Sequence, residues 1–199
     1  RMMMQMPTGA GKTYTALETA VDILRRPFQK QFVVWIVNSN ELAEQALQSF
    51  RDIWQKKGDR EIDIFRLYKD FSPSFDEFKN GGVVFSSYDL FGSILGRIDD
   101  VRRESLLHLI SQTQYLIVDE AHSAIAETYE TCINAFISND HTMILGLSAT
   151  PMRSDPLENE MLRRLFSGNL VSVRDSDGQS LDDPIGYLQE HKYLAKIET

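Results

Sequence analysis

The sequence predicts an α/β domain built on a mostly parallel sheet with helices on both faces. Three observations carry that expectation. Short runs rich in β-branched and aromatic residues alternate with longer stretches of helical periodicity, the pattern of successive βαβ units. The short runs are nearly continuous in apolar residues, Phe32-Val33-Val34-Trp35-Ile36-Val37 being the clearest, as strands buried on both faces require. A glycine-rich turn, Pro7-Thr8-Gly9-Ala10-Gly11-Lys12-Thr13, joins the first apolar run to the first helical pattern.

The expected strands cover residues 2–6, 32–37, 62–67, 83–85, 115–118, 143–147 and 170–173. The methionines of the first are read as core filling. Helices are expected over residues 12–24, 41–57, 75–79, 88–95, 101–111, 124–136 and 157–166. In the second helix Leu42, Ala43, Ala46, Leu47, Phe50 and Trp54 recur at the three-to-four spacing of one buried face, which puts Trp54 in the core. Turn chemistry marks the joins at Arg26-Pro27, Lys57-Gly58-Asp59, Asn80-Gly81-Gly82 and Asp175-Ser176-Asp177-Gly178. No internal repeat is visible. One α/β domain is expected over residues 1–173, and residues 174–199 read as a connector with a short helix from Asp183 and the beginning of a strand at Tyr193 to Ile197.

Composition narrows the class. Apolar residues make up 42% and charged residues 25%, ordinary for a globular core. The longest apolar runs are too short to span a bilayer and no charged-then-apolar leader opens the chain, so a cytoplasmic protein is expected. Twenty-one basic against 29 acidic residues give a net charge of −8, which argues against binding nucleic acid through bulk basicity. The pairs Arg25-Arg26, Lys56-Lys57, Arg102-Arg103 and Arg163-Arg164 are read as solvated helix faces. The single cysteine, Cys132, excludes an internal disulfide and is expected to be buried; His108, His122, His141 and His191 share no zinc-ligand spacing with it.

Chemistry concentrates at three strand ends. In Pro7 to Thr13, two glycines let the backbone curl so that successive N–H groups face phosphate oxygens, and the following helix adds its positive N-terminal dipole. Thr8, Gly9, Ala10, Gly11, Lys12 and Thr13 are therefore expected to bind a nucleoside triphosphate, with Lys12 on the outer phosphates and the Thr13 hydroxyl on magnesium. Met6 stands where the strict P-loop pattern has its first glycine. The run Tyr115-Leu116-Ile117-Val118 ends in Asp119-Glu120-Ala121-His122. Asp119 is suited to hold magnesium and Glu120 to orient or deprotonate water. Third, Met143-Ile144-Leu145-Gly146-Leu147 runs into Ser148-Ala149-Thr150-Pro151.

Pro-Thr-Gly-Ala-Gly-Lys-Thr, Asp-Glu-Ala-His and Ser-Ala-Thr, in this order, resemble motifs I, II and III of superfamily 2 DEAH-box helicases and translocases. The resemblance covers nearly the whole chain as the first, N-terminal RecA-like domain of that P-loop NTPase family. The continuation Leu147-Ser148-Ala149-Thr150-Pro151-Met152-Arg153 is most similar to the branch containing type III restriction motors and RecG-like and RadD-like DNA enzymes. It implies an ATP hydrolase using ATP and magnesium, with Lys12, Asp119, Glu120 and His122 catalytic and Ser148, Ala149 and Thr150 coupling hydrolysis to movement on nucleic acid, DNA in particular. His122 would act as a relay, with the alternative of a helix-start residue whose ring is satisfied; Arg153 would otherwise be a surface charge.

Two segments match more loosely. Asn38-Ser39-Asn40-Glu41 resembles motif Ia, where Ser39 and Asn40 would contact a phosphate of the tracked strand; the alternative is helix capping by Asn40. In Ser86-Ser87-Tyr88, Ser86 or Ser87 would make a similar contact, the alternative being capping by Ser87, and Tyr88 would stack on a base or pack into the domain. The family's adenine-reading glutamine lies upstream of motif I, and only six residues precede Pro7. The second RecA-like domain, which supplies the arginine fingers, is also missing, and Arg153 and Arg174 are poor substitutes. Two other readings stay open: a duplex-translocating subunit of a restriction or defence nuclease, and a catalytically silent nucleotide-binding interaction domain.

Overall fold

A computed structural model of the chain describes residues 1–26, 31–69, 81–97, 101–124, 126–150 and 155–194. Seven strands form one sheet, and every pair of neighbours is parallel. In chain order they are β1 (Met2–Gln5), β2 (Phe32–Val37), β3 (Asp63–Leu67), β4 (Gly82–Ser87), β5 (Thr113–Val118), β6 (Met143–Ser148) and β7 (Leu170–Ser172). Across the sheet they lie in the order β3-β4-β2-β5-β6-β1-β7. The helices are α1 (Lys12–Leu24), α2 (Asn40–Lys57), α3 (Tyr88–Leu95), α4 (Val101–Gln112), α5 (Glu127–Ile137), α6 (Pro156–Leu165) and α7 (Pro184–Glu190).

Alternation along β2 divides the core. Val33, Trp35 and Val37 face α1 and α2, packing with Leu17, Val21, Leu47 and Phe50, while Phe32, Val34 and Ile36 belong to the opposite layer with Phe91, Ile133 and Phe136. All six positions of β2 and of β4 are buried, which is why these strands read as unbroken apolar runs. Trp54 is half-buried, stacks on Phe50 and donates its Nε1–H to the Arg60 carbonyl. Cys132 is buried against the α3 side of the sheet.

The sheet and most helices match the expected pattern, and the departures are physical. β4 runs on to Ser87 because Ser86 and Ser87 continue the ladder opposite Ile36 and Val37. Helix α5 begins at Glu127 rather than at 124, because Ala121–Ser123 close into a 3-10 turn with Ser123 N–H bonded to the Glu120 carbonyl. Beyond β7, Arg174 pairs with Ser180 across a turn and donates to the Gly178 carbonyl. The helix expected at 75–79 and the Pro151-Met152-Arg153 continuation lie outside the described residues, as does the strand expected from Tyr193 to Ile197 except for Tyr193 and Leu194, which turn back to the Leu188 carbonyl instead of extending. Among the described residues no helix is long and apolar enough to cross a membrane.

Gly146 in β6 allows the closest packing near the motif strands. A Cβ there would stand 2.6 Å from Phe166 Cε1 and 2.9 Å from Ala121 Cβ. Gly146→Ala is expected to lower stability by about 1–3 kcal/mol through overpacking, read as a lower denaturant midpoint with an unchanged slope. An unchanged midpoint would show that Phe166 yields freely.

Candidate nucleotide site

Strand order brings the three motifs together. The glycine-rich turn leaves the end of β1, Asp119 follows β5, and β6 between them ends in Ser148. Residues 107 apart in sequence (119 − 12) thus share the carboxyl edge of the sheet, where open α/β folds bind ligands.

Gly9 and Gly11 adopt φ of 81° and 91°, left-handed values that glycine accepts without penalty. Gly11 precedes α1 without a side-chain cap, and no acidic residue occupies the first turn, so the first N–H groups of the helix are left to an anion. Ala10 N–H meets the Pro7 carbonyl at 3.1 Å. Lys12 is 9% exposed and donates its ammonium to the Met6 carbonyl at 3.1 Å and to that of Pro7 at 3.4 Å. The loop's donors are therefore folded onto its own carbonyls, within reach of the space its N–H groups surround. Thr8 lies exposed at the loop's rim, and Thr13 sits in the first turn of α1.

Asp119 extends the sheet, its N–H donating to the Ile36 carbonyl, and its Oδ1 accepts from Glu120 N–H at 3.0 Å. Burial raises its carboxyl to about 6, the Glu120 N–H bond and the Lys12 charge pulling the other way and the Glu120 charge adding to the rise. Glu120 adopts φ 50°, ψ 47°, a left-handed conformation costing a non-glycine residue roughly 1–2 kcal/mol. The turn leaves its side chain 35% exposed while Asp119 is 8% exposed. Two adjacent carboxylates thereby meet different surroundings, the structural basis for different tasks.

His122 joins this acid pair to β6. Its Nδ1 lies 3.2 Å from Glu120 Oε2 and 3.3 Å from Ser148 Oγ. Ser148 is fully buried, and its hydroxyl accepts the Thr150 N–H at 3.1 Å. A continuous polar chain, Glu120–His122–Ser148–Thr150, thus runs from the acidic strand end into the third motif, with Ala149 between its last two members.

The looser candidates separate. Ser39, not Asn40, caps α2: its Oγ accepts the Leu42 N–H at 3.2 Å, and Asn40 is the first helical residue. The Glu41 carboxyl is held below its ordinary value, first by its own backbone N–H and then by the Ser39 hydroxyl. Ser86 is fully buried and donates to the Leu67 carbonyl at 2.9 Å, so its hydroxyl serves the sheet rather than a phosphate. Ser87 stands at the start of α3 with no capping bond from its side chain. Tyr88 is fully buried and stacks on Tyr129 at 3.8 Å, a packing residue rather than a platform for bases. The left-handed Glu120 and the folding of the tail onto the loop went unseen in the sequence. Leu194 Cδ2 lies 3.3 Å from where a Gly9 Cβ would stand.

The raised Asp119 carboxyl makes a stability prediction. Its folded value of about 6 exceeds the ordinary 3.8, so protonated Asp119 favours the fold below about pH 4 and that contribution is lost as pH rises through 6. In metal-free buffer, Asp119→Asn should be more stable than the wild type at pH 7 to 8 by up to about 3 kcal/mol, the gap closing near pH 4. Denaturant titrations at several pH values check this; a gap that widens on acidification would reverse the sign.

The sequence profile of the family described as type III restriction enzyme, res subunit, matches residues 1–153. The chain is 29% identical over 163 residues to a putative helicase 22 of Sulfolobus islandicus filamentous virus, an alignment covering 80% of this chain and 26% of that protein. It therefore spans about a quarter of the curated relative's length. Among solved structures it is similar to the Hef helicase domain of Pyrococcus furiosus, with a TM-score of 0.66 and 19% identity over 89% of this chain and 36% of that one. It is also similar to S. cerevisiae Dbp5 bound to RNA and ADP BeF3, with a TM-score of 0.65 and 16% identity over 90% and 44% of the two chains. At these identities the structural likeness establishes the fold, a RecA-like α/β domain, and the profile establishes the family: the chain belongs to the type III restriction enzyme res-subunit family.

Proposed function

We propose that this chain is the nucleotide-hydrolysing half of an ATP-dependent helicase or translocase acting on nucleic acid, DNA in particular. The observation that carries the reading is the polar chain from Glu120 through His122 to Ser148 and Thr150, which ties the acidic strand end to the third motif beside the phosphate loop. Hydrolysis requires the first part and coupling the second.

On nucleotide binding, Lys12 and the Ala10 N–H exchange loop carbonyls for phosphate oxygens. Among the described residues no group of three or more His, Cys, Asp or Glu is placed to hold a metal alone. The hard oxygens of Thr13 and Asp119 nevertheless fit magnesium if phosphate and water complete the shell. Magnesium held there would neutralise charge on the triphosphate. Glu120 orients the attacking water and accepts its proton. His122 Nδ1 has a single proton or lone pair to share between Glu120 and Ser148, so a change at Glu120 alters what Ser148 and Thr150 receive. Ser39, Asn40 and Ser87, at the carboxyl ends of β2 and β4, are the remaining candidates for phosphates of the tracked strand. An arginine finger would come from a second RecA-like domain in the parent protein, reached through residues 174–199.

The family match favours a second reading within the same chemistry: the motor of a restriction nuclease that moves along duplex without separating it. Strand-displacement and triplex-displacement assays on the full-length protein distinguish the two. In that protein, Lys12→Ala should weaken ATP binding, and Glu120→Gln should keep binding while cutting turnover by about 10²–10⁴-fold. Normal turnover by both variants would sink the assignment, and no turnover by the wild type would leave a silent interaction domain. His122→Ala should leave nucleotide affinity near wild type but blunt the stimulation of turnover by nucleic acid; full stimulation would remove His122 from the coupling chain.

A further inference from the structure

The segment after β7 returns to the phosphate loop. Asp183 caps α7, its Oδ1 accepting the Gly186 N–H at 2.9 Å, and Pro184 occupies the first helical turn. At the other end Lys192 turns left-handed at φ 62°, and the N–H groups of Lys192 and Tyr193 donate to the Gln189 and Leu188 carbonyls at 3.2 and 2.8 Å, a Schellman closure. Leu194 N–H joins the Leu188 carbonyl at 3.0 Å, and this return lays its side chain on Gly9, with Cδ2 3.3 Å from where a Gly9 Cβ would stand. We propose that residues 183–194 form a latch that holds the phosphate loop in its self-bonded form and is released when phosphate binds. The inference rests on the reading of Pro7 to Thr13 as the phosphate site and adds a control on it.

Two observations give the latch its sign. The first is competition for the loop's shape. The bond from Ala10 N–H to the Pro7 carbonyl closes the turn that presents Gly9 to Leu194. A phosphate that takes over the Ala10 N–H and the Lys12 ammonium frees the Pro7 carbonyl and opens that turn, withdrawing Gly9 from Leu194. The second is charge. Residues 181–194 carry Asp182, Asp183 and Glu190 against one base, Lys192, and Asp182 lines the same cavity as Pro7 and Thr8 of the loop. Negative charge held there opposes the approach of a triphosphate.

The hold is weak enough to be released. A seven-residue helix does not persist alone in water, and Leu188 is the one buried residue of α7. Beneath the segment lies a cavity of about 670 Å³, bounded by Pro7 and Thr8 of the loop, Ala149 and Thr150 of the third motif, and Ile185 and Leu194 of the latch. Segments with so few buried apolar contacts open at low cost. Linkage makes the effect reciprocal: phosphate loosens the latch by the same factor that loosening the latch favours phosphate. Release also uncovers Ala149 and Thr150, so occupancy of the loop reaches the third motif by a route separate from His122.

Equilibrium binding of ATP and tripolyphosphate to the full-length protein, with amide hydrogen exchange over residues 183–194, tests this. Leu194→Ser should tighten both ligands by about fivefold, the lower end of ordinary coupling between sites. Leu194→Met, which keeps an apolar contact of similar volume, should stay near wild type. In the wild type, tripolyphosphate should speed exchange at Tyr193 and Leu194, whose N–H groups bond the Leu188 carbonyl. Unchanged or weaker binding by Leu194→Ser, equal tightening by Leu194→Met, or slower exchange on adding tripolyphosphate, as in a lid that closes over its ligand, would overturn the latch. Each of those results leaves the phosphate-site reading standing so long as Lys12→Ala weakens both ligands. If Lys12→Ala leaves both intact, that reading fails and the latch fails with it.

Discussion

Burial of a parallel sheet on both faces governs where this molecule can do chemistry. Strands β2 and β4 are enclosed at every position, and the layers above and below them are apolar. A polar side chain placed mid-strand would be stranded without water, at a cost of several kcal/mol unless fully bonded. Reactive groups can emerge only where a strand stops. The parallel arrangement then puts all the carboxyl ends on one edge, and the order β5-β6-β1 sets the acids and the phosphate loop on either side of Ser148. The site is a consequence of the strand order as much as of any motif residue.

The same constraint explains the state of the loop. Lys12 is nearly buried, so its ammonium must find oxygen, and it finds the Met6 and Pro7 carbonyls. Those are neutral acceptors, weaker than an ionised phosphate oxygen, whose charge-assisted bonds are roughly twice as strong. A triphosphate bound there, as proposed, would displace weak internal bonds with stronger ones, and the backbone would need no new left-handed residue because Gly9 and Gly11 already hold theirs. Binding is favoured by what the loop gives up cheaply.

Legibility followed physical locality. β2, α1 and α3 could be bounded from the sequence because each depends on its own apolar pattern and on the turn or cap beside it. The strand-end positions of Asp119 and Ser148 were legible for the same reason, as polar residues abruptly ending apolar runs, and that of Lys12 from the glycine-rich turn before it. What failed was decided by partners distant in sequence. Whether a serine near the end of β4 faces solvent or the Leu67 carbonyl depends on how β3 lies beside it, and Ser86 reads like any strand-end hydroxyl until that register is known. The choice of Ser39 over Asn40 as cap turns on one residue of helix start, a margin below the resolution of pattern reading. The contact of Leu194 with Gly9 spans nearly the whole chain and leaves no periodic trace.

Glu120 shows how a local departure is used. An aspartate and a glutamate in succession at a strand end would, in extended backbone, point to opposite faces of the sheet. The left-handed turn at Glu120 breaks that alternation. Asp119 stays against the sheet, accepting the Glu120 N–H, while Glu120 turns outward to meet His122. Non-glycine residues hold such a conformation only when their surroundings fix it. Here the 3-10 turn does so, its first bond running from Ser123 N–H to the Glu120 carbonyl. That turn in turn needs Ala121 to lie close over β6, which Gly146 permits by having no Cβ. A glycine in the middle of one strand thereby sets the direction of a carboxylate at the end of another, and with it the path from that carboxylate through His122 to Ser148.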